Sequence, residues 1–208
     1  MMKTKLLLLI FLGPPMWCAF AGIDFTPTPG ERTFEGIKFP ELYFHEKDRK
    51  ISYEQPRGWK YSGDSSQIKF TPPNVYQAFG EISQTPLPAP QNFDELTMKR
   101  LQDQVLASLP PDCQDATIVH AEKNPIVIDA RETFEVTVTY QLYSEHYHQS
   151  VLFMNLPDTR LTFRFVARKP DFEKLHRAFR DSLGSLQWLK PEHNEEQVTT
   201  SAAAAPVH

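Results

Sequence analysis

Residues 132–168 read ETFEVTVTYQLYSEHYHQSVLFMNLPDTRLTFRFVAR, and the alternation within them decides the fold class. Phe134, Val136, Val138, Tyr140 and Leu142 alternate with Thr133, Glu135, Thr137, Thr139 and Gln141. Successive side chains of a strand point to opposite faces, so a period of two predicts a strand with one buried face. Ser144-Glu145 breaks the run, a second strand follows from about His146 to Asn155, and Pro157-Asp158 turns the chain again. The third strand sets Leu161, Phe163, Phe165 and Ala167 on one face and Arg160, Thr162, Arg164 and Arg168 on the other. A helix then opens at Pro170-Asp171. Its apolar residues Phe172, Leu175, Phe179 and Leu183 step by three and four, and Gly184 stands at the C-terminal cap. The stretch is an antiparallel meander with a helix to cover it.

Upstream, the signals are shorter. Ile37 to Phe44 carries Pro40, so a strand there is an edge or is broken. Ile51 and Tyr53, and then Ile68 and Phe70, mark short strands that stop at Pro56 and Pro72. Val75 to Ser83 reads as a strand with Tyr76, Ala78, Gly80 and Ile82 on one face. Pro86, Pro88 and Pro90 stiffen the next loop. A helix follows, with Asn92 as N-cap, Glu95 completing a capping box, and Phe93, Leu96, Leu101, Val105, Leu106 and Leu109 as its apolar stripe. Thr117–Ala121 and Ile126–Ala130 read as strands on either side of an Asn124-Pro125 turn. The connections are too short for parallel crossovers. The class is α+β, a mainly antiparallel sheet with helices packed on it.

The 208 residues form one domain between two unlike ends. Residues 1–21 read as a signal peptide: Lys3 and Lys5 precede an apolar run, Leu6 to Leu12, and Ala19-Phe20-Ala21 fits a cleavage site. Met16 and Trp17 ahead of Cys18 are too large for lipoprotein processing. Residues 22–35, with Thr26-Pro27-Thr28-Pro29-Gly30, read as a flexible linker. Residues 36–189 are the folded domain, and residues 190–208 read as a disordered tail without apolar period. The expected mature protein is exported, periplasmic or secreted, without a transmembrane segment. Its only cysteine is Cys113, so it can form no internal disulfide. A net charge of −4, falling to about −6 without the leader, is opposite in sign to that of a nucleic-acid protein.

Two short motifs and a helix start resemble the PsbP-like and DcrB-like families. Ile51 to Trp59, ISYEQPRGW, is similar to their opening strand followed by Pro-x-Gly-Trp. Phe93 to Leu96 matches their Phe-Asp-Glu-Leu helix start, and Phe179 to Leu186, FRDSLGSL, matches their Phe-x-x-Ser-Leu-x-Ser-Leu ending. The resemblance spans roughly Gly36 to Leu189. It implies an α/β/α sandwich with a central antiparallel sheet, and a binding or assembly module rather than an enzyme. It carries over no site residues. The physics of the matched residues agrees: a tight turn at Gly58 and a large anchor at Trp59.

Candidate chemistry is sparse. His146 and His148 share a strand face and would hold a transition metal if His120 or Glu122 supplied a third ligand. The competing reading is a pair of exposed imidazoles near a hairpin turn. Arg160, Arg164 and Arg168 form a row that would meet an anionic partner, or would pair with carboxylates such as Glu135. Cys113 lies in a loop with no base marked out for it. There is no Gly-x-Ser-x-Gly elbow, His-Glu-x-x-His, phosphate loop or paired-cysteine site, and no cofactor is expected. The expected function is an exported, non-catalytic binding or assembly module whose partner is a protein or envelope component. The alternatives are an enzyme with a composite site and a metal protein using His146 and His148.

Overall fold

The computed structural model describes residues 22–190. The leader at 1–21, and all but the first residue of the tail read at 190–208, lie outside them. In chain order the strands are β1 (Asp24–Phe34), β2 (Ile37–Glu46), β3 (Arg49–Tyr53), β4 (Lys60–Gly63), β5 (Gln67–Thr71) and β6 (Phe79–Pro86). Helix α1 (Glu95–Ala107) follows, then β7 (Gln114–Lys123), β8 (Thr133–Leu142), β9 (Glu145–Asn155) and β10 (Thr159–Arg168). Helix α2 (Lys169–Leu183) and a two-residue β11 (Gln187–Trp188) complete the order. A seven-stranded antiparallel sheet runs β4-β5-β6-β10-β9-β8-β7, and a smaller sheet runs β1-β2-β3-β11. Helix α1 packs on β7 and β8, and α2 on β10 and β9. The expected α+β class is the class found.

The register of the meander explains how both faces of the large sheet come to be covered. Phe134 pairs with Phe153, and Phe153 with Thr162. The apolar row of β8 therefore shares its face with the arginine row of β10, not with the phenylalanines of β10. On that face Phe134, Val136, Val138, Val151 and Phe153 pack with Leu101 and Val105 of α1. On the other, Leu152, Met154, Phe163 and Phe165 pack with Phe172, Phe179 and Leu183 of α2 and with the small sheet. Strand β9 lies between apolar neighbours on both faces, and its run Val151–Met154 is buried throughout. Glu135, expected as a cross-strand partner for the arginines, lies on the opposite face from them.

The two family-like motifs meet each other. Gly58 adopts φ +79°, which favours glycine, and Trp59 N–H donates to Pro56 C=O at 3.1 Å. Trp59 is 6% exposed and stacks on Phe179 of α2, with ring centroids 6.3 Å apart and planes 9° from parallel. The Tyr53 and Ser182 hydroxyls lie 2.7 Å apart. Ser185 Oγ accepts from Glu54 N–H at 2.8 Å, while Leu183 and Leu186 are buried. Beneath them Gly80 marks the close approach of helix and sheet, since a Cβ there would sit 2.6 Å from the Phe179 ring. These residues form a joint between the end of α2, β3 and the large sheet.

Several local readings are corrected. Residues 22–35 are not a linker: Asp24–Phe34 is β1, paired with β2, and Ile23 and Phe25 are in the core. Pro27 and Pro29 are tolerated because β1 is an edge strand, and a register shift falls between Asp24 and Thr28. Strand β2 is continuous and lies between β1 and β3, but β3 begins to pair only at Leu42, so Pro40 sits where β2 has a neighbour on one side alone. Asn74 and Gln77 take positive φ, so the strand read from Val75 starts instead at Phe79. Ile126–Ala130 forms only an isolated bridge, Ile128 to Arg131. The α1 cap is Asp94, whose carboxylate accepts from Thr97 N–H at 2.7 Å. Phe93 before the cap and Met98 after it join the same apolar cluster, a hydrophobic staple. The cap places Thr97, Leu101 and Val105 inward and leaves Leu96 70% exposed.

Candidate functional site

Helix α1 covers the β7–β8 half of its face of the sheet and leaves a cleft beside β6 and β10. One part of the cleft, about 230 Å³, is lined by Ser83, Thr85, Thr162, Arg164, Gln104 and Ser108 among others. A second part, about 190 Å³, shares Gln104 and is lined by Gln91, Thr97, Arg100, Leu101 and Arg160. The arginine row thus does face a concave, polar surface, but its three members are in different states. Arg164 Nη2 pairs with Glu81 Oε2 at 3.0 Å, and its guanidinium lies over the Phe79 ring. Arg168 Nη2 pairs with Glu145 Oε1 at 3.2 Å. Arg160 has no carboxylate within ion-pair distance among the described residues. It donates through Nε to Asn155 Oδ1 and through Nη2 to Gln91 Oε1, each at 2.8 Å.

This face also carries unmatched donors. Among the described residues, the buried side-chain polar atoms without a protein partner are Gln149 Nε2, Arg164 Nε, Arg168 Nε and the acceptor Gln55 Oε1. Gln149 pairs with Val138 and Val166, and so shares the α1 face with Arg164 and Arg168. All three of these nitrogens are buried, so the donors that the cleft itself presents are those of Arg160 and Arg164.

The histidine pair does not find a third ligand. His146 is exposed, while His148 lies under Phe172, ring centroids 5.1 Å apart. Burial and then the charge of Lys169 push the His148 imidazole below its ordinary pKa. His120 Nε2 and Glu122 Oε2 bind each other at 3.1 Å. Among the described residues no group of three or more His, Cys, Asp or Glu side chains is placed to hold a metal ion. Tyr147, read beside the pair, is buried and stacks on Tyr140. Cys113 is half-buried against the α1-side core.

The sequence reading missed the polar cluster under α2. Glu135 is 2% exposed, yet its carboxylate accepts from Ser150 Oγ at 2.6 Å and contacts His176 Nε2 at 3.1 Å. Arg180 Nη1 lies 3.3 Å from its second oxygen, and Arg180 Nη2 donates to Pro125 C=O at 2.8 Å. Burial alone would raise the Glu135 pKa; the hydrogen bonds from His176 and Ser150 and the charges of His176 and Arg180 outweigh it and lower the pKa. Serine, carboxylate and histidine are present, but the serine donates to the carboxylate rather than to the imidazole. An imidazole that does not hold the hydroxyl proton cannot act as its base. The four-residue spacing of His176 and Arg180 on α2 was the available signal, but nothing in the sequence ties it to Glu135.

No protein-family model matches the chain, and comparison with curated proteins finds no significant match. Solved structures do match. The crystal structure of LpqN, involved in cell envelope biogenesis of Mycobacterium tuberculosis, is 13% identical, with a TM-score of 0.50 over 81% of this chain and 92% of that one. The solution structure of cyanobacterial PsbP from Synechocystis sp. PCC 6803 is 15% identical, with a TM-score of 0.49 over 86% of this chain and 99% of that one. A Pseudomonas aeruginosa protein of unknown function, PA94, is 13% identical, with a TM-score of 0.47 over 79% and 98%. At these identities the likeness is one of fold. The likeness to LpqN and the element order agree with the expected α+β class, a mainly antiparallel sheet with helices packed on it. Among the described residues no helix is long and apolar enough to cross a membrane.

Proposed function

We propose that this protein is an exported, non-catalytic binding or assembly module of the cell envelope, and that it docks its partner on the α1 face of the large sheet. The observation that carries the reading is Arg160, a guanidinium that lines the cleft and has no carboxylate within ion-pair distance among the described residues. The leader pattern of residues 1–21 supports export. The arrangement at Glu135 supports a non-catalytic role, because its hydroxyl, imidazole and guanidinium are all turned onto one carboxylate.

The test is cross-linking of the mature protein in its own envelope fraction. Arg160→Glu is expected to lose a defined cross-linked product, more so at low salt, where exposed charges act over longer range. The paired change His146→Ala with His148→Ala is expected to retain it. Arg164→Glu is a poorer probe, since it would set two carboxylates together at Glu81. An unchanged product in Arg160→Glu overturns the docking face. A hydrolytic activity of the purified chain that disappears in Glu135→Gln or Ser150→Ala overturns the non-catalytic reading.

A further inference from the structure

Arg160 is not alone in its cleft. Arg100, on α1, lines the same space of about 190 Å³. Its one side-chain hydrogen bond among the described residues is Nη2 donating to Thr97 Oγ1 at 3.2 Å, and it too has no carboxylate within ion-pair distance there. Two guanidinium groups, one from the helix and one from the sheet, thus converge without a counter-charge. Burial and then the charge of Arg100 pull the Arg160 guanidinium below its ordinary pKa, as expected for cations set together. The cap Asp94 feels the charge of Arg100, but its carboxylate accepts from Thr97 N–H, and Asp103, one turn further along α1, pairs with Lys99. Arg160 is held in place by a relay: Asn155 Nδ2 donates to Gln91 C=O at 2.9 Å, and both residues hold the Arg160 fork. Like charges pre-positioned on rigid elements are unfavourable for stability and useful for binding.

We propose that the Arg100–Arg160 cleft binds a phosphate group. A carboxylate has two oxygens in one plane, a shape that matches a single guanidinium fork, whereas a phosphate spreads its oxygens tetrahedrally toward two. A phosphate can accept from both guanidinium groups at once, from Arg160 through Nη1 and the Nη2 hydrogen that Gln91 does not take, and still face the polar side chains of Thr97 and Gln104 at the wall. The site rests on the reading of the α1 face as a binding face and names the chemistry it takes. The phosphate can belong to a soluble ester or to a lipid headgroup, and the cleft makes the same contacts to either.

The test uses the purified full chain, titrated by NMR with inorganic phosphate and, separately, assayed for sedimentation with vesicles of phosphatidylglycerol or of phosphatidylcholine. Saturable one-site phosphate binding is expected, centred on the amides of Gln91, Thr97, Arg100 and Gln104. Arg100→Gln and Arg160→Lys should each weaken it about tenfold or more, the second because it keeps the charge and loses the fork. Arg164→Gln, in the neighbouring part of the cleft, should leave it within about twofold. Arg100→Gln lies on an exposed helix surface and should raise the melting temperature at low salt when phosphate is absent, by removing the repulsion. Phosphate binding without vesicle binding supports a soluble ester. Binding to phosphatidylglycerol that Arg100→Gln abolishes supports a headgroup. Absence of saturable binding to either, or equal weakening by Arg100→Gln and Arg164→Gln, overturns the site. A partner cross-link unchanged in Arg160→Glu, with saturable phosphate binding by the unaltered chain, would discard the docking proposal and leave this one standing.

Discussion

Glu135 is a buried carboxylate whose partners stabilise the fold against acid. A lone charge at 2% exposure would be strongly unfavourable, and here Ser150 on β9 and His176 and Arg180 on α2 compensate it. Across the strand pair it also faces Glu122, which is itself occupied by His120. Because the folded pKa lies below the unfolded one, the native state resists protonation of this group. The resulting stability is full above the unfolded value, about 4.3, and is lost as pH falls through the folded value. Urea midpoints measured from about pH 7 down to pH 3 should therefore drop below about pH 4.3. Glu135→Gln should be less stable at neutral pH, since Arg180 loses its partner, and should show a flatter acid limb. An acid limb as steep in Glu135→Gln as in the wild type would show that other carboxylates set it.

Strand β1 is where an element-scale inference failed, and its prediction follows from the failure. Thr26-Pro27-Thr28-Pro29-Gly30 has the composition of an extended linker, and local composition cannot report that β2 waits beside it. Phe25 is 1% exposed and meets Phe44 edge to face, ring centroids 5.4 Å apart. Phe25→Ala should cost about 3–5 kcal/mol in denaturant unfolding; a loss under about 1 kcal/mol would return the segment to the linker reading. The meander was legible by contrast because period two and period 3.6 are local signals with long runs. What those signals omit is which face meets which layer. The register, Phe134 to Phe153 to Thr162, turned the arginine row toward α1 and Glu135 away from it. The same limit hid the cleft: Arg160 was visible as one of a row, but Arg100 lies 60 positions earlier on a helix, and only packing brings the two to one space. The Leu96 misplacement has a simpler cause: Leu96 is five residues from Leu101, about 140° round the helix, whereas Thr97, Leu101 and Val105 step by four.

Across the whole molecule, two sheets of unequal size share one hydrophobic core, and a seam at the end of α2 adds hydrogen bonds to it. Strand β11 pairs Gln187 with Ser52 and Trp188 with Ile51, and Leu189 N–H donates to Lys50 C=O at 2.8 Å. Trp188 Nε1 donates to Glu46 at 2.9 Å while its ring lies 4.9 Å under the Arg131 guanidinium. With the Tyr53–Ser182 and Glu54–Ser185 bonds, these contacts tie β2 and β3 of the small sheet to the end of α2. None of these bonds involves β8, β9 or β10, which also pack against α1 and the body of α2. The two sheets should therefore differ in local stability. A chain ending at Leu186 keeps α2 and loses β11, Trp188 and the Leu189 bond. Native-state hydrogen exchange of that chain should rise by about tenfold or more in β1, β2 and β3 and stay near the full-length rates in β8, β9 and β10. Equal loss of protection in both sheets would show instead that the molecule opens as one cooperative unit. In that case the seam would contribute to global stability rather than to the attachment of the small sheet.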